Sequence, residues 1–208
     1  MKVLLINGSY RVEGCTYTAL AEVAKPIQDA GIETEIFHVG TAPIRGCTAC
    51  GHCKRTGSGR CVYDDDTVNV GLEKAESADA YVFGSPVHYA AASGMITSFL
   101  DRFFFASKSH AYKPGACIVT CRRGGATAAF EQLNKYFTIS NMPVVPSQYW
   151  NMVHGNTPDE IAQDEEGLQI MRTLGRNMVW LLQCMAAGRE AGIAWPEPEP
   201  RVSTNFVR

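Results

Sequence analysis

Four of the eight cysteines, Cys47, Cys50, Cys53 and Cys61, crowd into one short stretch and spell C-x2-C-x2-C-x7-C. Such compact spacing lets three thiolates converge on one face of an iron–sulfur cubane, with the fourth arriving from further along the loop. Structural zinc sites more often pair two separated C-x2-C knuckles, so zinc is the poorer match. Gly46, Gly51, Gly57 and Gly59 supply the tight backbone turns such a loop needs. The same stretch also reads as a loop of plain thiols, with Arg45, Lys54, Arg55 and Arg60 serving to attract an anionic substrate. The spacing leaves both readings open: a [4Fe–4S] cluster on these four cysteines, or free thiols. His52 reads as a surface residue rather than a ligand. Cys15, Cys117, Cys121 and Cys184 are scattered, which argues against a disulfide scaffold.

Chemistry of another kind is written at the start of the chain. The apolar run Val3-Leu4-Leu5-Ile6 leads into Asn7-Gly8-Ser9-Tyr10-Arg11-Val12-Glu13-Gly14-Cys15-Thr16, and a helical pattern follows. A buried strand, a turn at Gly8 and a second turn at Gly14 would deliver helix N–H groups and hydroxyls to one point. Unpaired N–H groups at a helix start, with the positive end of its dipole, hold a phosphate. Arg11 would add a charged fork. Ser9, Arg11, Gly14, Cys15 and Thr16 are the candidate contacts; the bland reading is an ordinary strand-to-helix turn. Neither Gly-Lys-Ser/Thr nor G-x-G-x-x-G occurs there, which excludes the commoner nucleotide loops.

These residues need elements to position them. Ile32 to Val39, Asp79 to Ser85, Ala116 to Cys121 and Met142 to Pro146 read as further strands. Helices are expected over 16–30 (closed by Gly31, with Pro26 predicting a kink or early end), from Asp64-Asp65-Asp66 to Glu76, over Ser93–Ser107, to about Tyr136, and once within 157–187. The three aspartates read as capping acids on a solvated turn. Residues 40–62 lack periodicity, and irregular loops of that length are usually functional. Strands alternating with helices give a doubly wound α/β fold with a five-stranded parallel sheet. The ligand crevice is then expected where strands one and three diverge, in the order 2-1-3-4-5. The loops after strands three and four do carry suitable residues: Ser85-Pro86-Val87-His88-Tyr89 and Thr120-Cys121-Arg122-Arg123-Gly124-Gly125. Residues 1–188 read as one domain with the cysteine loop inserted, and 189–208 as an extended Pro-rich tail.

Gly8, Ser9, Arg11, Gly14 and Thr16 fall on the loop Gly-Ser-x-Arg-x-x-Gly-x-Thr, which resembles that of the NADPH-dependent FMN reductase family of flavodoxin-like proteins. Cys15 stands where that loop commonly has Asn. Ser85-Pro86-Val87-His88-Tyr89 is similar to the family's Ser-Pro-x-Tyr segment, and Phe99-Leu100-Asp101-Arg102 to its Phe-Leu-Asp-Arg helix end. The cysteine loop, placed after the second strand, resembles the family's iron–sulfur flavoprotein branch. The resemblance implies a flavodoxin-like three-layer sandwich that binds FMN and takes electrons from NAD(P)H or a reduced carrier. The acceptor would be a quinone-like molecule, a flavin or a protein. It also implies that Ser85, Pro86, Val87, His88 and Tyr89 face the flavin ring, with Thr120, Arg122, Arg123, Gly124 and Gly125 closing over it. The glycines would let the backbone approach the ring, and an arginine would favour its reduced, anionic form. Two other classes stay open: a pure electron carrier and a non-catalytic thiol or metal sensor.

Composition excludes several alternatives. With 46% hydrophobic and 19% charged residues and a net charge of −2, the chain has no general attraction to nucleic acid or acidic membrane. It holds no apolar run long enough to span a bilayer and no cleavage signal, so a cytoplasmic protein is expected. Phe103, Phe104 and Phe105 point about 100° apart on a helix, and Met178-Val179-Trp180-Leu181-Leu182 is apolar all round. One core cannot absorb both, which predicts a homodimer or homotetramer.

Overall fold

A computed structural model describes residues 1–200, 202–204 and 206. In chain order the elements are β1 (Lys2–Asn7), α1 (Cys15–Asp29), β2 (Glu33–His38), α2 (His52–Thr56), α3 (Val68–Glu76), β3 (Ala80–His88) and β4 (Ala91–Ala92). They continue with α4 (Gly94–Ala106), β5 (Gly115–Cys121), α5 (Ala126–Ile139), β6 (Met152–His154), α6 (Pro158–Ile161) and α7 (Glu165–Glu190). The sheet runs β2-β1-β3-β5-β6, with β4 a two-residue antiparallel stub on β3. Counting only the parallel strands, this is the flavodoxin order 2-1-3-4-5.

Strand alternation sorts the side chains into two cores. Leu4, Ile6, Tyr81, Phe83, Cys117 and Val119 face α3, α4 and α5. Val3, Leu5, Ala80, Val82, Ala116 and Ile118 face α1, α6 and α7. The first core is aromatic: Phe83 stacks on Phe137 at 4.9 Å, and Tyr81 meets Phe103 edge-on at 5.9 Å. The second is aliphatic. Pro26 does not end α1 early; the helix continues to Asp29. Its ring lies where α7 crosses, against Gly175, at which a Cβ would come within 2.5 Å of Pro26 Cγ. Gly31, in the left-handed region at φ 75°, follows the end of α1.

Two expectations are corrected. The fifth parallel strand is not Met142–Pro146 but β6, in register with β5 as Val119↔Met152 and Cys121↔His154. Pro143 and Pro146 lack N–H groups, so residues 142–146 reach β5 only through a single bridge from Val144 to Gly115. The last helix is also two helices, α6 and α7, each opened by its own capping side chain, Thr157 and Asp164. The place of β6 bears on function, because it brings residues 155 and 156 to the open end of the sheet.

Candidate functional site

A cleft opens at the carboxyl ends of β1, β3 and β5, holding about 830 Å³ including its mouth. Ser9, Arg11, Cys15 and Thr16 line it from the first loop, Pro86, Val87 and His88 from the loop after β3, and Thr120 and Arg122 from the loop after β5. Gly14, Ser85, Tyr89, Arg123, Gly124 and Gly125 do not line it. Gly14 is the N-cap of α1 and offers no side-chain acceptor. Gly125 begins α5 in the same bare fashion, with φ 88°. By contrast α4, α6 and α7 all start on capping side chains. Of the four helices whose N-cap residue makes no side-chain bond (α1, α2, α3 and α5), α1 and α5 follow β1 and β5, so their free N–H groups lie at the cleft end of the sheet.

The first loop is shaped by its neighbours. The Asn7 side chain accepts from Ser9 N (3.1 Å) and donates to Val12 O (3.0 Å), and Ser9 Oγ accepts from Arg11 N at 3.1 Å. His38, at the end of β2, accepts the Gly40 N–H at Nδ1 (3.2 Å), so its Nε2–H donates to Ser9 O at 2.8 Å. Thr16 and Thr120 hydroxyls meet at 3.0 Å across the cleft floor. The Cys15 thiol donates to Gly155 O at 3.9 Å, and burial raises its pKa. Burial likewise raises that of Cys121, so both cleft thiols stay protonated near neutrality. Arg11 and Arg122 have no ion-pair partner among the described residues, whereas Arg45, Arg60, Arg102 and Arg172 are each paired with a carboxylate.

Ser85 acts behind the cleft. Its hydroxyl donates to Pro86 O (2.7 Å) and accepts from Ser93 N (2.9 Å), while Ser93 Oγ donates to Gly8 O at 2.7 Å. One buried network therefore ties the first and third loops to the start of α4. Gly125 permits the loops after β3 and β5 to touch, since a Cβ there would lie 2.6 Å from Ala90 Cα. Sequence reasoning missed Tyr10, Cys121, Gly155 and Asn156, all on the cleft wall. Tyr10 and Cys121 stood inside segments already singled out; Gly155 and Asn156 follow β6 and became visible only with that strand in place.

The cysteine loop forms a separate recess of about 310 Å³, mouth included, into which Cys47, Cys50, Cys53 and Cys61 all open. Cys47 and Cys50 are exposed, Cys53 is buried and Cys61 half-buried. Ala49 and Gly51 take left-handed conformations between the first three, and α2 carries Cys53. Asn69 on α3 pins the backbone at Cys61, accepting from its N–H (2.8 Å) and donating to its carbonyl (3.0 Å). No three His, Cys, Asp or Glu side chains among the described residues close around a single metal-ion position. The donor set of four sulfurs, with no carboxylate on the wall, suits a larger multi-iron group, whose ligands stand further apart than those of one ion. The acids before α3 also depart from expectation. Asp66 caps Val68 N at 3.1 Å, as foreseen, but its other oxygen is in a buried ion pair with Arg102. Asp64 and Asp65 pair with Arg60 and Arg45, which leaves those arginines less free to attract a substrate.

The chain belongs to the NADPH-dependent FMN reductase family, whose family model matches residues 1–157. Within known relatives it is similar to an iron–sulfur flavoprotein of Methanocaldococcus jannaschii, 30% identical over 190 residues, covering 86% of this chain and 95% of that protein. A second iron–sulfur flavoprotein of the same organism is 29% identical over 192 residues, covering 85% and 94%. Among solved structures, RosB with bound 8-demethyl-8-formylriboflavin-5'-phosphate superposes with a TM-score of 0.68 at 16% identity, covering 100% of this chain and 94% of that one. A flavodoxin from the Archaea gives 0.53 at 13%, covering 85% and 99%. At such identities the structural likeness speaks for the fold alone.

Proposed function

We propose that the protein is an FMN-dependent oxidoreductase passing electrons from NAD(P)H or a reduced carrier to a quinone-like, flavin or protein acceptor. The observation that carries this is the cleft itself. Loops after β1, β3, β5 and β6 converge on it, α1 enters it without a capping side chain, and Arg11 stands on its wall with no ion-pair partner among the described residues. The phosphate of FMN would sit at Ser9, Arg11 and Thr16, with Pro86, Val87 and His88 along the ring. Bound there, FMN would supply the two-electron redox chemistry that no cleft side chain provides. The chain's own part is to bind and orient: backbone N–H groups toward the anionic phosphate, Pro86 for a rigid turn beside the ring, and Arg122 at the edge where negative charge accumulates on reduction.

Cys47, Cys50, Cys53 and Cys61 would hold a [4Fe–4S] cluster, which would supply one-electron transfer. The four-sulfur recess favours a second reading, an electron carrier using the same two sites. A homodimer or homotetramer is proposed from apolar side chains left in water: Trp180 is 66% exposed and Phe105 41%. Reconstitution with FMN and a visible spectrum test the redox reading, and a colourless protein would end it. Bleaching by NADPH in stopped flow distinguishes the enzyme from the carrier. Light scattering at micromolar concentration checks the association, which a monomer mass would contradict.

A further inference from the structure

Arg102 is 1% exposed, and every donor-bearing nitrogen of its guanidinium is engaged on the cysteine loop. Nε donates to Cys61 Sγ at 3.2 Å, Nη1 to Arg45 O at 3.1 Å and to Asp66, and Nη2 to Tyr63 O at 2.8 Å. Three of these partners lie on one stretch, residues 45–63, that has little regular structure of its own. The fourth, Asp66, whose side chain is 4% exposed, holds the counter-charge. Arg102 belongs to α4, whose first turn is tied through Ser93 to Gly8 in the cleft's first loop. Nine residues of helix separate the two ends, about 13 Å of rise. One rigid element thus carries a cleft anchor at its start and a sulfur contact further along.

We propose that Arg102 is a positioning residue for the recess: its N–H···S bond fixes Cys61 and sets the reduction potential of the group the four cysteines bind. The inference rests on the cluster reading above. A cluster gains negative charge when it takes up an electron, and hydrogen bonds to its sulfurs and nearby positive charge favour that reduced state. Arg102 supplies both at Cys61; Asp66, which does not touch the sulfur, offsets part of the charge. The two residues therefore act on the potential in opposite directions. A residue that merely braced the loop would give no such opposition.

The test compares wild type, Asp66→Asn and the double variant Asp66→Asn/Arg102→Gln, each reconstituted anaerobically with iron and sulfide. The double variant avoids a buried unpaired carboxylate, so the loop keeps a neutral hydrogen-bonding pair. Iron and labile sulfide are counted first, then each protein is titrated with dithionite as one-electron reductant and followed by electron paramagnetic resonance. The expected order of potentials is Asp66→Asn above wild type above the double variant. Between the two variants the reduced-to-oxidised ratio at fixed potential should differ at least tenfold, which is 59 mV for one electron. Ratios within threefold of each other in iron-loaded variants overturn the role of Arg102 and leave the cluster standing. A wild type holding less than about one iron per chain overturns the cluster reading and this role together. A double variant that loses its iron is read by alkylation of apoprotein: Cys61 labelled several-fold faster than in wild type supports the positioning, and an unchanged rate overturns it.

Discussion

The cleft and the recess sit on the same sheet scaffold but are built by different means. The cleft is made by backbone: strand ends set the loops, glycines bring them together, and the charges on its wall, Arg11 and Arg122, have no ion-pair partner among the described residues. The recess is made by side chains. Its loop has little ladder or helix to hold it, so Asn69 and Arg102 reach in from α3 and α4 and satisfy its polar groups one by one. A site of the first kind should tolerate loss of a ligand-facing charge without unfolding. A site of the second kind should not.

The largest expected effect comes from breaking the clamp. Arg102→Met leaves Asp66 buried and unpaired, and removing one member of such a pair costs about 3–5 kcal/mol. Urea unfolding of the apoprotein should show that loss; a change below about 1 kcal/mol would mean that water replaces the guanidinium and the recess is not clamp-built. FMN affinity should move little.

Next is a pH effect on the same, aromatic side of the sheet. His110 is buried, stacks on Phe103 at 4.9 Å and meets Tyr81 Oη at 3.1 Å, and burial lowers its pKa from 6.5 to about 4. The unfolded chain takes up this proton below about pH 6.5, whereas the folded protein does so only near pH 4. Stability is therefore fully present above pH 6.5 and lost as pH falls through that window, by about 3 kcal/mol in all. Glu35, held below its ordinary value by Lys2 and then Lys74, acts only below about pH 4.5, so the two effects separate. Urea midpoints at pH 7 and 4.5 should fall steeply for wild type and much less for His110→Phe; parallel falls would contradict the assignment.

The smallest stability effects, and the clearest effects on ligand, belong to the cleft. Arg11→Ala should weaken FMN by about 1–3 kcal/mol, the range for losing a charged hydrogen bond, while leaving the apoprotein's unfolding unchanged. Ser9→Ala should cost less, about 1 kcal/mol, since its hydroxyl also holds Arg11 N. Flavin fluorescence titration measures both, and unchanged affinity in the two variants would place the phosphate elsewhere.

Much of the cleft was legible in the sequence because its logic is local. Val3 to Ile6 is a buried strand by composition, Gly8 and Gly14 mark turns, and a strand–helix alternation restricts where a ligand can lie. The same local reading failed at Met142–Pro146, where apolar residues suggest a strand but two prolines withhold the N–H groups a ladder needs. It failed again at Asp66, since an acid before a helix looks like a cap on a wet surface.

The chain by itself determined the alternation of strands and helices, the first four parallel strands with the ligand-bearing loops after the first, third and fourth of them, and the presence of four clustered thiols. Each follows from residue type and short-range spacing. Only the tertiary structure decided that Asp66 and Arg102, 36 positions apart, are buried against each other, and that Cys61, 41 positions from Arg102, receives its N–H. Whether a charge is solvated or buried depends on which helix packs over it, and no periodicity in the chain records that.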